Sequence, residues 1–149
     1  IAYTTLEYVY DENELNLSRI AKDNGLQVDN IFKTLILLTD TGAPIVALVA
    51  GDAQLSLKKL ATLAQCKRVE LAPIDKLQRL TGGYQRGGCS PLGMRKNLPT
   101  FVDERILQYE TVYVNAGKRG LLFGCAGSEL MRAMADFASL ASLVESSSK

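Results

Sequence analysis

Residues 31 to 50 constrain the fold most: two apolar runs separated by a single polar turn. Ile31-Phe32-Lys33-Thr34-Leu35-Ile36-Leu37-Leu38 is rich in β-formers, Thr39-Asp40-Thr41-Gly42 is a turn signal, and Pro44 to Ala50 is the hairpin partner. Strand alternation puts Lys33 on the face of Ile31, Leu35 and Leu37, and Phe32, Thr34, Ile36 and Leu38 on the other. Both faces are largely apolar, so the strand is covered on both sides and leaves no cheap place for an ammonium. The Lys33 head either snorkels to an edge or points into a polar pocket.

The flanking segments alternate in kind. Thr4 to Tyr10 reads as a strand, and Leu15 to Asn24 as a helix ending at Gly25. Ser56 N-caps a helix carrying Leu57, Leu60, Ala61 and Ala64. A short strand at Arg68 to Leu71 precedes Pro73, which opens a helix running to about Leu80. Short strands follow near Thr100 to Val102, Thr111 to Val114 and Leu121 to Phe123. A last helix after Ser128 is expected to place Leu130, Met134, Phe137, Ala138 and Ala141 on one face. Hairpin turns favour antiparallel or mixed pairing over a parallel doubly wound sheet, so the fold class is α+β. Residues 1–145 are expected to form one domain and 146–149 a frayed polar tail.

Composition removes several chemistries. The 149 residues contain no histidine, which excludes Ser-His-Asp and Cys-His arrangements and every His-based zinc site. Cys66, Cys89 and Cys125 are far apart with no CxxC spacing, so neither metal nor cofactor is expected, and reduced thiols point to a cytoplasmic setting. No apolar run approaches the roughly 18 residues a bilayer span needs, and nothing reads as a secretory signal. The net charge of +1 hides an asymmetry. Residues 1–55 carry 3 Lys and Arg against 8 Asp and Glu, residues 56–119 carry 12 against 5, and residues 120–149 carry 2 against 3. A basic middle gathered on one face would attract phosphates; spread over solvated helix faces and turns it would not.

Three segments stand out as places for chemistry. Lys33 is the first. The second is Gly82-Gly83-Tyr84-Gln85-Arg86-Gly87-Gly88-Cys89-Ser90-Pro91-Leu92-Gly93, with five glycines in twelve residues. Such a loop lets backbone amides approach a ligand, yet it matches neither a P-loop nor a dinucleotide fingerprint, and a purely structural loop is the competing reading. Without histidine, Cys89 and Ser90 have no evident activator, and Cys89 is better read as a small buried residue. The third is Tyr113-Val114-Asn115-Ala116-Gly117-Lys118-Arg119-Gly120, a turn whose glycines bracket two cations. It is either a solvated hairpin or a phosphate-contacting turn.

Together, Phe32-Lys33-Thr34-Leu35, Gly87-Gly88-Cys89-Ser90-Pro91-Leu92-Gly93 and Tyr113-Val114 with Gly117-Lys118-Arg119-Gly120 resemble the YbaK/EbsC family of aminoacyl-tRNA deacylases. That family is related to the editing domain inserted in bacterial prolyl-tRNA synthetases. The resemblance runs from Tyr3 to the last helix, and the family's N-terminal helix is expected upstream of Ile1. It implies a mixed, mainly antiparallel six-stranded sheet, partly closed as a barrel, with surrounding helices. It implies trans-editing hydrolysis of misacylated tRNA, chiefly cysteinyl-tRNA(Pro), without a protein nucleophile or metal. Lys33 matches the family's essential lysine, Tyr10 beside Asp11 its pocket tyrosine, and Gly87 a loop glycine whose backbone meets the substrate. Phe32, Thr34, Gly88, Ser90, Pro91, Asn115, Ala116 and Gly117 are the substrate-binding candidates. Arg95, Lys96, Lys118 and Arg119 are the tRNA-binding ones. Asn115 stands where a serine or other small residue is frequent and Leu122 where some members carry an acid, which leaves the amino-acid specificity open.

The implied partners are the acceptor end of misacylated proline tRNA and, beyond it, prolyl-tRNA synthetase, with no DNA or membrane partner. An aminoacyl ester is already activated, so positioning and oxyanion stabilisation by Lys33 and loop amides suffice without a catalytic base. Two alternatives stay open: a non-catalytic RNA- or nucleotide-binding module of the same fold, and a deacylase for another amino acid such as alanine.

Overall fold

The computed structural model describes residues 3–9, 17–84, 89–92, 94 and 97–145. Tyr10, Asp11, Gly87, Gly88, Gly93, Arg95, Lys96 and the tail 146–149 lie outside them.

The apolar hairpin forms as expected. β2 (Phe32–Thr39) and β3 (Pro44–Ala50) pair antiparallel, with Lys33 opposite Val49 and Leu38 opposite Pro44. Gly42, at φ +85°, closes the turn by donating from its N–H to the Thr39 carbonyl. One face of β2 packs Leu35 and Leu37 with Val49, Leu55 and Leu60. The other places Phe32 and Ile36 in two further apolar clusters. This hairpin is the middle of a five-stranded sheet in the order β4-β2-β3-β5-β8, with β8 formed by Ala138–Ala141. β4 is Val69–Leu71, and β5 (Thr100–Asp103) runs parallel to β3. A second, antiparallel sheet has the order β1-β7-β6, formed by Tyr3–Glu7, Leu121–Cys125 and Val112–Asn115.

Among the described residues the six-stranded, partly closed barrel is not found: the strands divide into sheets of three and five. Among the described residues the two sheets are linked by a parallel bridge, Ile31 to Tyr113. A 3-10 turn over Val28–Asn30 immediately precedes Ile31, so the extended run of β2 is interrupted there instead of continuing along β6.

Among the described residues, four α-helices cover the sheets: α1 (Leu17–Asp23), α2 (Leu57–Leu63), α3 (Leu77–Thr81) and α4 (Gly127–Ala133). Ser56 caps α2, its hydroxyl accepting from the Lys59 N–H at 3.2 Å. Pro73 precedes a 3-10 turn over Ile74–Lys76 rather than opening one continuous helix, and α3 then ends at left-handed Gly82. The expected long C-terminal helix is also corrected. α4 stops at Ala133 once Leu130 and Met134 are buried, and Ala138–Ala141 form β8, pairing parallel with β5. Without β8, β5 would present an open edge to solvent. Buried Asp103 fixes this end, one carboxylate oxygen accepting from Leu143 N–H at 2.9 Å and the other from Arg105 N–H at 3.3 Å.

Candidate active site

Lys33 sits near the start of β2, half-buried, and its Nζ donates to the Ala53 carbonyl at 2.9 Å. That carbonyl lies in the turn after β3. Gly51 N–H donates to Ile31 O at 2.6 Å and Ala53 N–H to Ala50 O at 3.0 Å, folding the turn back over the start of β2. The Lys33 head is thus held by a main-chain acceptor. Burial holds the Lys33 ammonium below the ordinary lysine range, opposed by the charge of Asp52 in the same turn.

The other candidates on β2 take different roles. Phe32 is fully buried, its ring edge-on to Tyr109 with centroids 6.4 Å apart. It shares a cluster with Leu92, Ala53 and Val114, so the lysine strand, the end of the glycine-rich segment and β6 converge there. The Thr34 hydroxyl is buried with no hydrogen-bond partner.

The glycine-rich segment is tied down at both described ends. Tyr84 donates from its hydroxyl to the Leu92 carbonyl at 2.6 Å, and buried Ser90 accepts from the Leu92 N–H at 3.1 Å. Pro91 is buried beside it. Burial pushes the Cys89 thiol up to about 11, and Cys125 is raised by the same cause. Tyr84 also reaches the third segment: a Cβ on Gly117, at φ +92°, would lie 2.9 Å from its ring. Glycine there allows both the left-handed turn and the close approach. The fold therefore brings together two of the three segments at Tyr84 and Gly117.

In that turn the Asn115 Oδ1 accepts from Gly117 N–H at 3.0 Å, and its Nδ2 donates to the Tyr8 hydroxyl at 3.3 Å. Ala116 N–H donates to Leu121 O, closing the β6–β7 connection with Lys118 exposed and Arg119 half-buried. Leu122 is buried with Ile20, Ala21 and Ile31. Tyr8 further borders a cleft of about 310 Å³ with Arg19, Asp23 and Asn24 between the end of β1 and α1.

Sequence reasoning missed Tyr8 and a polar chain behind Lys33. Asp52 lies 3.8 Å from Arg105, Arg105 donates to the Tyr109 hydroxyl at 3.4 Å, and that hydroxyl donates to Asp29 at 3.0 Å. Partners up to 80 residues apart leave no local signal. Among the described residues, no group of three or more Cys, Asp or Glu side chains is placed to hold a metal, and no helix is long and apolar enough to cross a membrane.

The model of the family described as an aminoacyl-tRNA editing domain matches residues 11–133. The chain belongs to that family, a class of ester hydrolases acting on aminoacyl-tRNA. Among its relatives is the Enterococcus faecalis protein named "Putative Cys-tRNA(Pro)/Cys-tRNA(Cys) deacylase EbsC", 40% identical over 121 residues, which are 81% of this chain and 73% of that one. The proline–tRNA ligase of Elusimicrobium minutum is 32% identical over 95 residues, 64% of this chain but only 16% of the ligase. A crystal structure described as "a putative trans-editing enzyme for prolyl tRNA synthetase" superposes with a TM-score of 0.83 at 27% identity, covering 97% of this chain and 87% of that one.

Proposed function

We propose that the chain clears mischarged tRNA in trans, with cysteinyl-tRNA(Pro) as substrate, using Lys33 and the amides of the glycine-rich segment and no protein nucleophile or metal. The observation that carries this reading is Lys33 itself, a half-buried ammonium on an apolar strand with one main-chain acceptor. It retains two N–H donors for a substrate carbonyl or ribose oxygen. In the reaction, the oxygen of water bonds to the ester carbonyl carbon, the bond to the ribose oxygen breaks, and that oxygen takes up a proton. Negative charge gathers on the carbonyl oxygen in between, where a fixed ammonium and amide donors lower the barrier. The raised thiols support a mechanism without a cysteine nucleophile, since the protonated form attacks poorly. The name of the Enterococcus relative supports the cysteinyl ester, and the match to a segment of proline–tRNA ligase supports proline tRNA.

A panel of cysteinyl-, alanyl- and seryl-tRNA(Pro) tests the reading with purified protein. Expected is amino-acid release well beyond one equivalent, fastest for the cysteinyl form. Fastest release of alanine would reassign the amino acid. Stoichiometric binding of all three without release would make this a binding module and overturn the enzymatic reading.

A further inference from the structure

We propose that Asp52 is a positioning residue for Lys33, carried on the turn that supplies the lysine's carbonyl acceptor and locked from behind by Arg105, Tyr109 and Asp29. The inference rests on the catalytic reading of Lys33 above.

Four elements contribute to the arrangement. Asp52 and Ala53 are adjacent in the turn after β3, so whatever fixes Asp52 also fixes the oxygen that Lys33 grips. Arg105 comes from the 3-10 turn after β5, Tyr109 from just beyond it, and Asp29 from the 3-10 turn before β2. The ion pair is 3.8 Å long, and the Arg105–Tyr109–Asp29 links are 3.4 and 3.0 Å. The Tyr109 ring packs on Phe32, the residue next to Lys33, so the chain closes on the same strand. The charged group acting on Lys33 is Asp52, with Arg105, Tyr109 and Asp29 standing behind it. A lone exposed pair would contribute little. Here the pair belongs to a linked set that holds a turn against the half-buried amine. Asp52 opposes the desolvation of Lys33, keeping it charged and aimed.

The test uses the full chain and whichever aminoacyl-tRNA(Pro) it cleaves fastest, with uncatalysed ester hydrolysis subtracted. Asp52→Asn should lower kcat about tenfold and leave KM within about twofold. It should also move the alkaline limb of the pH profile to lower pH, because the charge that helps Lys33 keep its proton is gone. Asp52→Glu should restore part of the rate. In a Lys33→Ala background, Asp52→Asn should cost nothing further. If Lys33→Ala is slow but Asp52→Asn keeps the parent kcat and pH profile, or slows the Lys33→Ala background equally, Asp52 does not act through Lys33 and the inference falls. If Lys33→Ala is itself fully active, the catalytic reading of Lys33 falls and takes this one with it. Should Asp52→Asn fail to fold, Tyr109→Phe decides. It keeps the ring on Phe32 and removes only the linking hydroxyl. Slowing in the parent but not in Lys33→Ala supports the proposal, and any other pattern overturns it.

Discussion

The β2–β3 hairpin and the β1-β7-β6 sheet are both antiparallel, yet they are used differently. After Pro44, every residue of β3 is buried, and β2 has apolar clusters on both faces. β1 is exposed at four of its five positions, with Tyr3 at 64%. A side chain on the hairpin is held by close packing on two sides, so Lys33 has one place to put its head. A side chain on β1 largely meets water, whereas β6 and β7 bury Val112, Val114, Leu122 and Cys125, and Lys118 in the β6–β7 turn is exposed. The wrapped strand suits a group that must be aimed, and the exposed turn after β6 suits groups that would meet a charged partner.

The largest effect expected from this contrast is on stability. Leu48, opposite Thr34, is fully buried, and Leu48→Ala should cost about 2–5 kcal/mol. Leu6, the half-buried residue of β1, should cost about 1 kcal/mol when changed to alanine. Urea unfolding of both variants measures the difference, and equal losses would erase the distinction between the two regions.

The next effect is on rate. Lys33→Ala should slow deacylation at least tenfold, or about 1.4 kcal/mol in the barrier, with the melting temperature within a few degrees of the parent. The pH dependence separates the two roles of the amine. Because the folded protein holds the Lys33 pKa below its unfolded value, catalysis by the ammonium declines as pH rises through the folded pKa. Stability moves the other way across the window up to the ordinary lysine value, since the unfolded chain still binds the proton there. Lys33→Ala should lack both trends, as pH–rate profiles and pH-dependent urea midpoints would show. An alkaline decline unchanged in the variant would assign it to another group.

These regions also differ in how legible they were. The hairpin was readable because its turn, its β-formers and its two-sided apolarity all lie within 20 consecutive residues. The Ser56 cap and the end at Gly25 were readable because each is local, although the helix expected from Pro73 to about Leu80 begins only at Leu77. Ala138–Ala141 was misread because Leu130 and Met134 do follow helical spacing, and what overrides it is a pairing with Thr100–Asp103 far back in the chain. Asp52, Arg105, Tyr109 and Asp29 were invisible for the same reason: each is an ordinary surface residue until the fold joins them. Lys33 was the exception. A charge in an apolar run conflicts with its surroundings, and that conflict marks a position before any partner is known.

The smallest effect lies in the β6–β7 turn. Lys118 is exposed and Arg119 half-buried in the turn after β6, at the edge of the segment where Tyr84 meets Gly117. Residues 56–119 carry 12 Lys and Arg against 5 Asp and Glu, so this edge belongs to the basic part of a nearly neutral chain. Phosphate contacts release counterions, so the logarithm of tRNA affinity should fall against the logarithm of salt with a slope near −0.7 per contact for single strands. An acceptor end is short, and a few contacts give only weak binding by this domain alone. Neutralising Lys118 and Arg119 together should weaken tRNA binding and flatten that slope. It should barely alter hydrolysis of a small aminoacyl-ester mimic that lacks the tRNA body. If the double variant slows both substrates equally, the turn serves folding or the reaction itself, and the division of labour between the hairpin and this turn does not hold.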